Sequence, residues 1–152
     1  MVGPVQVEPE EMRENAVSPV GDFIAVVGGF VAALFAIALN WYTPAQSVAS
    51  AEKSLRGTTP QNPAGVICFV IGAVVFAFGI VVLIGRFINP NFRLMRSPGW
   101  VYATAATIVF IACITALVVP PNIAGVQAGI SAGPILELFA AIAIGVAGLL
   151  KF

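Results

Sequence analysis

The 152-residue sequence predicts an all-α fold: a four-helix bundle integral to a membrane, with both chain termini in the cytoplasm. Three observations predict it. The chain is 59% hydrophobic and 9% charged, with a mean hydropathy of +1.00, far from the composition of soluble domains. Its apolar residues gather into four blocks, each near the ~20 residues that a helix needs to cross a bilayer. The lysines and arginines between those blocks are unevenly distributed, which sets an orientation.

The first twenty residues, MVGPVQVEPEEMRENAVSPV, place Glu8, Glu10, Glu11 and Glu14 against Arg13. A secretory signal has a basic leader before a short apolar stretch. This segment therefore reads as an acidic, flexible cytoplasmic tail over residues 1–20, with a membrane domain over 21–152. Span one is expected over residues 21–42, GDFIAVVGGFVAALFAIALNWY. Asp22, after Ser18 and Pro19, suits a cap or a first-turn acid. Trp41 and Tyr42 close the span with amphipathic rings suited to the headgroup level.

Span two is expected over residues 64–85, introduced by Asn62-Pro63 and closed by Arg86. Span three covers 98–119, where Ser97 can cap, Pro98 can take the first helical position, and Pro120-Pro121 stop the helix. Span four covers 131–150 and ends before Lys151, but its start is open between Ile123 and Pro134.

With four spans, one side holds Arg13, Arg86, Arg93, Arg96 and Lys151, and the other holds Lys53 and Arg56. The positive-inside bias then puts both termini in the cytoplasm, in a multi-pass protein of the cell membrane. Arg93 and Arg96 are candidate contacts for an anionic lipid or a partner's acidic patch; their plainer reading is topogenic charge. Nothing in this distribution resembles a nucleic-acid surface.

Small residues mark the packing faces. Gly65, Gly72 and Gly79 recur every seven residues, and Gly145 and Gly148 share a face with Ala141. Such faces let backbones approach, within one chain or between chains. The expected partners are the bilayer, other membrane subunits, or a second copy. Thr104, Thr107 and Thr115 stripe span three, where each hydroxyl is expected to bond back to its own helix; a polar path is the alternative.

The chemistry-bearing residues are few. The chain has no histidine, and its two cysteines, Cys68 and Cys113, form no CxxC motif. Neither a zinc, haem or iron–sulfur set nor a nucleophile–base pair is legible, so no cofactor, no metal and no catalytic residue is expected. The cysteines read as free thiols acting as small apolar residues; their equal depth in the membrane makes a disulfide between them the alternative.

Glu137, in SAGPILELFAAIAIG, is the candidate intramembrane polar residue. It shares the helix face of Ala141, Gly145 and Gly148. If the helix starts at Pro134, Glu137 faces the positive end of the helix dipole and reaches water, which is the preferred reading. If it starts near Ile123, Glu137 is a buried acid for which Thr115 is a candidate partner. Such a residue marks a functional site by default.

The first span, with its glycines and the Trp41-Tyr42 pair, resembles the opening of small four-span membrane proteins of actinobacterial type. Those close with a helix approached by spaced glycines, which Gly129, Gly133, Gly145 and Gly148 resemble. In that family a proline often precedes the tryptophan; here Asn40 stands there. The first connection lacks the GLW and paired cysteines of claudin-type tetraspans. The resemblance implies membrane architecture and no particular chemistry. The expected function is a non-catalytic accessory or assembly subunit of a larger bacterial membrane complex, with a small-solute or proton permeation role through Glu137 as the alternative.

Overall fold

The computed structural model describes residues 19–43, 55–59, 61–89, 92, 94, 98–123 and 126–151. The acidic tail, Arg13, Lys53, Arg93, Arg96 and the Ser97 cap lie outside these described residues. Four helices dominate: α1 (Val20–Ala38), α2 (Pro63–Ile88), α3 (Gly99–Val118) and α4 (Ala132–Leu149). All four are long and apolar enough to cross a membrane. At ~1.5 Å per residue the shortest matches a slightly thinned bilayer and the longest exceeds the ~30 Å hydrocarbon core.

Each boundary has a local cause. Helix α2 opens with the Asn62 side chain accepting the Gly65 N–H at 3.2 Å, with Pro63 just inside. That combination satisfies an orphan donor and presets the first turn. It runs through Arg86 to Ile88, three residues beyond the expected end. Helix α3 begins at Gly99, so Pro98 occupies the capping position instead of the first helical one. Helix α1 opens after Pro19 without any side-chain cap.

The largest departure is at the other end of α1. It stops at Ala38, and Asn40–Thr43 continues as a strand, β1. Two short strands pair with it antiparallel, β2 (Leu55–Arg56) and β5 (Gly129–Ile130), in the order β2-β1-β5. Tyr42 stands opposite both Leu55 and Ile130. A separate hairpin joins β3 (Asn122–Ile123) to β4 (Val126–Gln127). The all-α expectation is corrected to a helical bundle with a small β cap over one end. Aromatic and β-branched residues in Asn40–Thr43 favour the pleated form, and β5 offers it hydrogen-bonding partners that a further helical turn would not.

The helices form a ring in which α1 packs on α2 and α4, and α3 on α2 and α4. The α1–α2 seam is the most extensive and the α2–α3 seam the sparsest. Alanines fill the interior: Ala25, Ala32, Ala105, Ala106, Ala140, Ala141 and Ala147 are all buried. The large side chains point outward, with Phe23 61% and Phe139 64% exposed. Small residues inside and large apolar ones outside invert the pattern of a soluble bundle, as expected where the surrounding solvent is hydrocarbon and backbones approach through small residues.

The glycines picked out in the sequence serve this internal packing. Gly65 lies against Gly57, Gly72 against Gly29 and Ala33, Gly79 against Val26, and Gly148 against Gly99 and Ala103. Gly145 faces only the Ala106 methyl, at ordinary contact distance.

Candidate functional site: a carboxylate at each end of the bundle

The end of the bundle opposite the β cap holds a buried ion cluster. Asp22, the third residue of α1, is fully buried. Its Oδ2 accepts the Lys151 ammonium at 2.6 Å and lies 3.5 Å from Arg86 Nε, while Oδ1 accepts the Tyr102 hydroxyl at 3.2 Å. Four segments meet here: the start of α1, the end of α2, the first turn of α3 and the residues after α4. Tyr102 is held by an edge contact with Phe78, ring centroids 5.7 Å apart.

Burial pulls the Lys151 ammonium below its usual pKa of 10.5, and the Asp22 carboxylate works against that shift. An isolated buried charge is costly, whereas a paired and hydrogen-bonded one is tolerated. Asp22 is thus the expected first-turn acid, and it serves in addition as the hub of a lock. The sequence reading missed this role. The available signal was that Asp22, Arg86, Tyr102 and Lys151 all stand within a turn or so of span ends on one side.

At the β-cap end, Trp41 and Tyr42 are corrected from headgroup anchors to core residues, both buried. The Tyr42 hydroxyl donates to the Ala116 carbonyl at 3.0 Å, and burial pushes the Tyr42 pKa above its usual 10.0. The Ser131 N–H donates to the Trp41 carbonyl at 2.9 Å. The Trp41 indole lies against Gly133, where an added Cβ would stand 2.5 Å from Cδ1 and 2.9 Å from Nε1. Only a residue without a side chain fits beneath that ring.

Helix α4 starts at Ala132, near the later of the two expected starts, while Ile123 belongs to the β3–β4 hairpin. Glu137 is thus the sixth helical residue, past the first turn, and fully buried. The preferred water-reaching cap reading is overturned: the later helix start and a buried acid occur together. The cause is the β cap, which covers the beginning of α4 with Trp41. Side chains on a helix lean toward its N-terminus, so Glu137 leans toward the turn that carries Gly133 and the indole.

Neither carboxylate oxygen of Glu137 has a hydrogen-bond partner among the described residues, and neither has Trp41 Nε1. Most buried polar groups in native proteins are paired, so an acceptor and a donor orphaned in one neighbourhood call for a function or a guest. Thr115 is not the partner. Its hydroxyl donates to its own helix, to the Ile111 carbonyl at 2.8 Å, and its side chain is exposed. Thr107 does the same to Ala103 at 2.9 Å, and Thr104 is also exposed. The threonine stripe therefore faces outward, and the alternative of an internal polar path along it is overturned.

Cys68 and Cys113 lie in the same cap-side core as Trp41 and Tyr42. Their sulfurs are 3.9 Å apart, and both thiols are free and buried. Among the described residues, no three histidine, cysteine, aspartate or glutamate side chains come together in a way that would hold a metal ion.

Fold and site together define a four-helix bundle with a β-capped end and an ion-locked end, in which every helix is long and apolar enough to cross a membrane. Compared with models of protein families, with characterised proteins and with solved structures, the chain matches none.

Proposed function

We propose that the protein is a non-catalytic accessory or assembly subunit of a larger bacterial membrane protein complex, resident in the cell membrane with both termini in the cytoplasm. The observation that carries this reading is a trough of about 410 Å³ between α1 and α4, lined only by apolar side chains. Phe23, Val27, Val31 and Phe35 form one wall, Leu136 and Phe139 stand on the other, and Gly28 lies between them. Along α1 the trough runs about 18 Å at the usual helical rise, over half of a bilayer core. Its length and apolar lining suit a partner's transmembrane helix, which packs by shape where lipid supplies no hydrophobic drive. The orientation rests on the excess of Lys and Arg on one side, of which Arg86 and Lys151 sit together at the ion-locked end.

Extraction in mild detergent is expected to bring down larger membrane proteins at fixed stoichiometry, read by native mass spectrometry. Recovery as a lone monomer under conditions that keep the four helices folded would overturn the proposal.

The burial of Glu137 with two unpartnered oxygens favours one second reading, permeation of a proton or small solute with Glu137 as the carrier. Proteoliposomes containing the protein should then show a flux that Glu137→Gln abolishes while the bundle stays folded. A flux unchanged by the substitution excludes the carboxylate from that role.

A further inference from the structure

The α2–α3 seam carries chemistry that neither reading uses. Cys68 on α2 and Cys113 on α3 point at each other with Sγ atoms 3.9 Å apart. A disulfide needs them closer by roughly 1.9 Å, a movement that the least packed seam of the bundle is best placed to allow. A groove of about 370 Å³ follows the outside of the same seam, lined by Ala64, Ile67, Ile108, Ala112 and Thr115 among others. Ala64 and Ala112 also belong to the core cluster containing both thiols, so the groove's wall backs directly onto the pair.

We infer that Cys68 and Cys113 form a modification site, a dithiol that a membrane-permeant hydroperoxide converts to an intrachain disulfide tying α2 to α3. Folded redox proteins cannot reach thiols buried inside a bundle. A small neutral hydroperoxide arriving along the apolar groove can. Cys68 sulfur attacks the peroxide O–O bond, forming Cys68–SOH and releasing water or an alcohol. The Cys68 thiol proton goes to the departing oxygen. Cys113 sulfur then attacks the sulfenyl sulfur, the S–OH bond breaks, and the Cys113 proton leaves with that oxygen as water. The two thiols lose two electrons, and the peroxide gains them. A sulfenic acid beside a resolving cysteine is the arrangement that stops the oxidation ladder at its reversible step.

The test uses full-length protein in lipid nanodiscs, treated in parallel with hydrogen peroxide and with the apolar cumene hydroperoxide. Alkylation and peptide mass spectrometry are expected to show both cysteines protected together, and a Cys68–Cys113 linked peptide that a reductant reverses. Faster closure with cumene hydroperoxide assigns the source to the bilayer, and faster closure with hydrogen peroxide assigns it to water. In Cys113→Ser, dimedone should trap a sulfenic acid on Cys68. The assignment is overturned if both thiols remain alkylatable, if linked peptides join different chains, or if each sulfur is separately oxidised to the sulfonic state.

Discussion

Asp22→Ala is expected to destabilise the bundle by about 3–5 kcal/mol, the usual cost of removing one partner from a buried ion pair. Lys151 Nζ lies 2.6 Å from Asp22 Oδ2, and both side chains are fully excluded from solvent. Removing the carboxylate takes from that ammonium its buried partner at 2.6 Å, and the Tyr102 hydroxyl loses its acceptor. Lys151 must then deprotonate or drag the end of the chain out to water. Arg86, 21% exposed, can turn outward and so suffers less. The double substitution Asp22→Leu with Lys151→Met is expected to recover most of the loss, because apolar replacement of a buried pair is often neutral or better. Unfolding in graded denaturing detergent, read by circular dichroism, provides the measurement. A single substitution costing under ~1 kcal/mol, the range of exposed pairs, would show that the cluster is solvated in the working protein. A double mutant no better than the single would show that the carboxylate acts through some partner other than Lys151.

Helix number, approximate span limits and the small-residue faces were legible because each depends on local sequence: block length, hydropathy, and glycine or alanine at helical spacing. The Asn62-Pro63 start of α2 was legible for the same reason, since a capping side chain acts within three residues. What escaped depends on contacts distant in sequence. Nothing local in Asn40–Thr43 says that it will pair with residues near 130, and an aromatic pair at the end of an apolar run reads equally well as a headgroup anchor. The misplacement of Trp41 carried over to Glu137. Whether a residue one turn past a helix start meets water depends on what covers that start, and here a strand from the far end of α1 covers it.

The ion lock was missed differently: three of its four members were noticed, as a cap, a topogenic arginine and a terminal lysine, but never together, and Tyr102 was not noticed at all. Lys151 lies 129 positions from Asp22, and only the ring order of the helices brings them together. For the threonines, the preferred reading came from side-chain chemistry alone. A hydroxyl four residues beyond a helical carbonyl bonds to it wherever the helix faces.

The second large effect concerns the α1–α2 crossing, where Gly72→Ala is expected to destabilise the bundle by about 1–3 kcal/mol, the range for overpacking a tight contact. Alanine ordinarily strengthens a helix relative to glycine by ~1 kcal/mol, so the local preference opposes this result and the contact geometry must win. A Cβ on Gly72 would stand 2.8 Å from the Ala33 nitrogen and 2.9 Å from the Gly29 carbonyl oxygen. On the facing helix, a Cβ on Gly29 would stand 2.6 Å from the Phe76 nitrogen and 2.8 Å from the Gly72 oxygen. Both obstacles are backbone, which cannot swing aside as a flexible side chain can. The two helices must move apart along the most extensive seam of the bundle. Gly145→Ala provides the control with the opposite sign. Its Cβ would meet only the Ala106 methyl, at 3.6 Å, so the helix-propensity gain stands and stability should be unchanged or rise by up to ~1 kcal/mol. Both substitutions add the same methyl to glycines in apolar helices, so any general effect of lipid or detergent cancels between them. Equal responses in the two variants would refute the reading of Gly29 and Gly72 as the point where the backbones touch.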